Sequence, residues 1–209
     1  MRAKTRAVAQ EAARLLYSGA VEEYKDAKVS AARALGTTVL PSNYDVALEL
    51  DRFADQVEGA ERGKLLLRLR REALELMIHL ASFHPRLIGS VWRGTARRGS
   101  DIDVQVYAPN IEEVLSRLSE RFHITKSEWT SKTAEGKTVR FHHIFVLLPT
   151  GDEVEVSVRN IEDMRERRRD AVYGDEIIGL TVEELETVLR DDPLRRFVPE
   201  RKKGRRVER

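Results

Sequence analysis

Cysteine is absent from this chain of 209 residues. Disulfides, thiolate metal sites and cysteine nucleophiles are thereby excluded together. Long apolar runs are missing as well. No stretch approaches the roughly 18 residues of a membrane span, and the opening MRAKTRAVAQEAARLLY lacks the uninterrupted apolar core of a signal peptide. The expectation is a cytoplasmic protein with no membrane partner. Net charge is close to nil, +2 from 37 Lys and Arg against 35 Asp and Glu, so the surface as a whole cannot grip a polyanion and any nucleic-acid contact must be local. What is abundant is charge of both signs, 34 % of residues, beside 41 % hydrophobic residues. That is enough to build a core in one domain of generous size, or in a domain with a substantial extension.

Pattern, rather than charge, divides the chain. Residues 1–82 are rich in helix formers, with apolar residues recurring at intervals of three and four. One helical stretch is expected over residues 5–35, with a break at Ser18-Gly19 and a stop at Gly36. A second follows Pro41-Ser42-Asn43, capped by Ser42 or Asn43, and ends near Glu58-Gly59. A third fills residues 61–83 before His84-Pro85. From Arg86 onward short alternating runs of β-branched residues mark a mixed sheet. Its pieces are a short strand at Leu87-Ile88, a strand over 102–107, a helix over 111–122 after the cap candidate Asn110, and strands over 123–129 and 138–148 flanking a turn at Glu135-Gly136. A further strand over 153–159 follows the turn Pro149-Thr150-Gly151-Asp152. Residues 161–172 and 182–189 read as helices, the second capped by Thr181. RKKGRRVER, residues 201–209, reads as a solvated basic tail that could touch RNA phosphates.

The informative stretch is LIGSVWRGTARRGSDIDVQVY, residues 87–107. Gly89-Ser90 is a small-residue turn at a strand end, where backbone N–H groups can approach a phosphate closely. In Asp101-Ile102-Asp103 the period of two places both carboxylates on one face of a strand, with Ile102 and Val104 on the other. Two like charges that close suit a divalent cation with oxygen ligands, Mg²⁺ or Mn²⁺, held in part by substrate phosphates. Arg93, Arg97 and Arg98 lie between the two motifs and could balance a triphosphate. A solvated strand edge would also explain the spacing of the two Asp.

Gly89-Ser90, ten intervening residues and Asp101-Ile102-Asp103 together resemble the polymerase beta-like nucleotidyltransferase superfamily, and within it the stand-alone minimal nucleotidyltransferases. The resemblance implies an α+β protein with a mixed-sheet nucleotidyltransferase core at residues 83–160, a helical N-terminal region at 1–82 and a helical C-terminal appendage at 161–209. It implies Asp101, Asp103 and a third acid, Glu155, as catalytic metal ligands, with Glu153 as the alternative on the same strand face. Gly89, Ser90, Arg93 and Ser100 are then expected at the nucleotide. The family more often has Asp as its third acid, and Glu is longer by one methylene.

The implied reaction moves a nucleoside monophosphate from an NTP, with ATP as the expected donor, to an acceptor hydroxyl and releases pyrophosphate, with two metal ions assisting. The acceptor is RNA, a protein or a small molecule. The alternative function is a catalytically weak nucleotide-binding or partner-binding module on the same fold. His142 and His143 are neighbours on a strand, so their rings face opposite ways and cannot form a compact metal pair. Trp92 either stacks on a base or anchors its loop, Arg165 to Arg169 read as a solvated helix face, and the N-terminal helices read as packing support or a lid.

Overall fold

The computed structural model describes residues 3–134 and 137–200; the turn at Glu135-Gly136 and the basic tail of residues 201–209 lie outside the described residues. Four helices come first: α1 (Ala3–Tyr17), α2 (Tyr24–Ala34), α3 (Asn43–Glu58) and α4 (Ala60–His79). Ser42 caps α3 by accepting a hydrogen bond from the Asp45 amide, and Gly59 at positive φ separates α3 from α4. The helix expected over residues 5–35 divides into α1 and α2 around Ser18-Gly19.

β1 (Arg86–Ile88) leads into a five-residue helix, α5 (Gly89–Arg93), then β2 (Ile102–Tyr107), α6 (Ile111–Ser119), β3 (His123–Ala134), β4 (Lys137–Leu147) and β5 (Glu153–Arg159). Asn110 caps α6. The strands form one sheet in the order β1-β2-β5-β4-β3, mixed because β2 and β5 run parallel while the other pairs are antiparallel. α7 (Val182–Asp191) begins with a capping box, Thr181 and Glu184 each serving the other's backbone amide. With this mixed sheet and its helical extensions the protein is α+β.

Two differences from the sequence pattern have physical causes. Residues 161–172, expected to be helical, form only a short 3-10 turn at Ile161–Arg165. Beyond it the Asp170 carboxylate accepts from the amides of Val172 (2.7 Å) and Tyr173 (2.9 Å), and Gly174 adopts positive φ. That local hydrogen bonding outcompetes a helix. Arg168, expected on a solvated helix face, instead reaches Gln105 of β2 at 3.1 Å.

The second difference concerns the boundary at residue 82. Leu66, Leu69, Ala73, Leu76 and Met77 of α4 are buried in the same apolar cluster as Ile102, Val104, Val154 and Val156 of the sheet, so the core crosses that boundary. α1, α2 and α3 gather around a smaller cluster of their own, built on Val8, Ala12, Ala27 and Val46.

Candidate active site

Asp103 on β2 stands directly opposite Glu155 on β5 in the parallel register, and residues paired in this way share a face. The intervening Ile102, Val104, Val154 and Val156 point to the other face and are buried, which fixes the register and keeps the acids out of the core. Asp101 precedes β2 by one residue. One carboxylate oxygen from each of Asp101, Asp103 and Glu155 can be chosen so that all lie within 4.8 Å of one another. Glu153 is left outside that group. The sequence pattern left Glu153 and Glu155 as alternatives on one face; Glu155 belongs to the three-acid group, while Glu153 lines the cleft with Asp101.

A fourth side chain joins the cluster that sequence reasoning did not place there. β4 runs antiparallel to β5 with Phe145 opposite Glu155, so His143 lies two positions along on the same face. Its Nδ1 meets Oε1 of Glu155, and the Ser157 hydroxyl is 3.3 Å from each. His142 faces the other way, buried, with Nε2 2.6 Å from the Ser127 hydroxyl. The two rings do diverge as their adjacency requires. The signal that could have found His143 was the alternation of β4 read against that of β5.

Gly89 has a steric reason to be glycine. It adopts φ +67°, and a Cβ built there would land on the Asp103 carboxylate. The Gly-Ser turn thus makes room for the second acid. Ser90 lines the cleft beside Asp101 and Asp103. The Ser100 hydroxyl accepts from the Arg97 amide at 3.0 Å, closing the loop that carries Asp101, and Ser100 also faces the cleft.

Arg93, expected at the triphosphate, is placed elsewhere. It is 2 % exposed, in a two-pronged pair with Asp175 (2.7 Å to each oxygen), 3.1 Å from Asp170 and 2.9 Å from the Phe197 carbonyl. Its guanidinium also covers the rings of Trp92 (4.1 Å) and Tyr173 (4.8 Å). All of this is internal structure, so Arg93 has no guanidinium face to offer a phosphate, and the buried Trp92 anchors rather than stacks on a base. Arg97 and Arg98 are the cations that line the cleft.

The acids destabilise one another's charge. Burial pushes Asp103 up to about 8, and repulsion from Asp101 and Glu155 adds to it. Asp101, the most exposed of the three, is also raised. Desolvation leads, with repulsion from Glu155 and Glu153, against the pull of a backbone hydrogen bond and of Arg97. A cluster of oxygen donors that cannot comfortably hold its own charge suits a hard divalent cation such as Mg²⁺ or Mn²⁺.

Two clefts meet at Asp101. One, of about 800 Å³, holds Ser90, Asp101 and Asp103 on one side and residues of α1, α2 and α3 on the other. The second, of about 670 Å³, shares Arg98, Ser100, Asp101 and Glu153 with it and continues along α4 and the β4–β5 turn. No described helix is long and apolar enough to cross a membrane.

Residues 85–174 match the family model described as a nucleotidyltransferase domain. A comparison of the chain with curated proteins gives no match.

Proposed function

We propose that this chain, a nucleotidyltransferase by the domain at residues 85–174, moves a nucleoside monophosphate from an NTP, with ATP as the donor, to an acceptor hydroxyl. The observation that carries the reading is the convergence of Asp101, Asp103 and Glu155, from two parallel strands and the loop before them, with Asp101 standing where two clefts meet. A group-transfer enzyme needs both: a place for each substrate and a shared place for the reacting phosphate.

Asp101, Asp103 and Glu155 are the residues that would hold Mg²⁺ or Mn²⁺. When bound, the cation neutralises charge on the triphosphate and on the acids themselves. The chain's own groups position the reactants. Gly89 lets the Asp103 carboxylate sit against the backbone, Ser90 faces the phosphates, and Arg97 and Arg98 oppose their charge. His143 fixes the rotamer of Glu155, so the longer third acid still reaches the cluster, which supports turnover over a merely nucleotide-binding fold. In the transfer the acceptor oxygen bonds to the α-phosphorus, the α–β phosphoanhydride bond breaks, pyrophosphate leaves, and the acceptor's proton is released.

The test is incubation with α-labelled ATP, Mg²⁺ and a cell lysate, followed by separation of RNA, protein and small molecules. Label should enter one fraction, with stoichiometric pyrophosphate. Asp103→Asn should lower the rate by about 10²- to 10³-fold, since removal of a group that stabilises charge in the transition state has effects on that scale. Wild-type turnover by Asp103→Asn would remove the acid cluster from the mechanism.

A further inference from the structure

The larger cleft is not made by the nucleotidyltransferase domain alone. Leu16 and Tyr17 at the end of α1, Val21 in the loop that follows, Tyr24 at the start of α2, and Leu50 of α3 line it across from Ser90 and Asp103. None of these five lies in the residues 85–174 that match the family model. Tyr173, half-buried, joins them from the loop after β5. The two clefts differ in a way that bears on which substrate goes where. The smaller one, apart from Leu65 and two glycines, is lined by charged and hydroxyl side chains, including Glu61, Lys64 and Arg68. The larger one carries the Gly-Ser turn and the acids on one side and, beside Glu22 and Asp51, an apolar and aromatic wall on the other.

A nucleoside triphosphate has that same division. Its phosphates need cations and amides, and its base needs a flat apolar face, because bases bind on aromatic and apolar side chains largely by stacking and exclusion of water. A volume of about 800 Å³ lies in the range that encloses ligands of this size. We infer that the N-terminal helices form the base-binding wall of the donor site, with Tyr24 and Val21 against the nucleobase, and that the smaller charged cleft is left to the acceptor. This rests on the transferase reading above and extends it to residues that reading does not use. Burial, with repulsion from Tyr173, holds the Tyr24 hydroxyl protonated far above neutral pH, so the ring offers the base a neutral face.

The test compares binding of ATP and of inorganic tripolyphosphate, each with Mn²⁺, by calorimetry on the full chain. Tyr24→Leu keeps apolar bulk but removes the ring; Val21→Trp, in the loop between α1 and α2, fills the space for the base. Thermal unfolding of both variants monitors the fold. The wild type should bind ATP about tenfold or more tightly than tripolyphosphate, and each variant should lose about tenfold in ATP affinity with tripolyphosphate binding unchanged. Unchanged ATP binding in both variants would overturn the inference while leaving the transferase reading intact. So would a parallel loss of both ligands, because a structural role would produce that. A wild type that binds neither ligand would overturn the transferase reading itself, and this inference with it.

Discussion

A carboxylate two positions from another along the chain and opposite a third on the next strand opposes folding unless something neutralises it. The clearest measure is Asp103. In an unfolded chain it titrates near the ordinary Asp value of about 4, whereas in the fold it is pushed up to about 8. Between those values the folded protein keeps a proton that the unfolded chain has released, so unfolding sheds it, and stability falls as pH rises through the window. The thermal midpoint of the metal-free protein, measured in chelator, should therefore drop between about pH 5 and about pH 8. Asp103→Asn should flatten that slope, and Mn²⁺ should restore the midpoint at the upper end. An unchanged slope in Asp103→Asn would show that the strain lies elsewhere.

At this scale the sequence told a good deal. Alternation along two strands put Asp101 with Asp103, and Glu153 with Glu155. It could not say which Glu reaches the two Asp, because that depends on how carboxylates meet across strands some fifty residues apart. Arg93 misled for a related reason. A guanidinium between two phosphate-site motifs looks free until its carboxylate partners, Asp170 and Asp175, arrive from far along the chain.

Among the elements, α4 has an unusual task. Its Arg70, wholly buried, donates to four backbone carbonyls: Val91 (3.2 Å) and Trp92 (3.0 Å) in α5, then Pro193 (2.7 Å) and Arg195 (2.8 Å) beyond α7. Desolvation lowers it to about 10, still charged at neutral pH. Arg70→Met would leave four carbonyls without their donor and should cost roughly 3 kcal/mol or more. Arg70→Lys should recover little of that, since one ammonium cannot reproduce a planar fork. Urea denaturation measures both; a midpoint near the wild type for Arg70→Met would refute the role. Helix ends were readable where a local side chain sets them, as at Ser42, Asn110 and Thr181. Residues 161–172 were not, because their apolar spacing says nothing of Asp170 turning its carboxylate back onto the chain.

On the scale of the whole molecule, the nucleotidyltransferase domain of residues 85–174 and its surroundings share one interior. A fragment limited to those residues would lose α4, whose Leu66, Leu69, Leu76 and Met77 are each buried against the sheet or its neighbours. At about 2 kcal/mol per side chain, that loss approaches the entire stability of a typical domain. The fragment should show no cooperative melting transition by circular dichroism, while residues 3–200 should show one. A sharp transition in the fragment would mean that the sheet and α6 suffice.

The segment after α7 binds what was made long before it. Arg70 and Arg93 wait for the carbonyls of Pro193, Arg195 and Phe197, and Gly94 keeps its Cα bare where a Cβ would come within 2.7 Å of the Arg195 oxygen. Arg196 then reaches back to Asp51 and Asp55 of α3, the helix that also lines the larger cleft. During synthesis the ribosome releases all three acids of the cluster well before this clasp. A nascent chain halted short of residue 193 would carry Asp101, Asp103 and Glu155 on a fold whose Arg70 and Arg93 still lack three of their carbonyl acceptors. The last contacts that close the fold around the acids therefore form late in translation, after every strand of the sheet has been made.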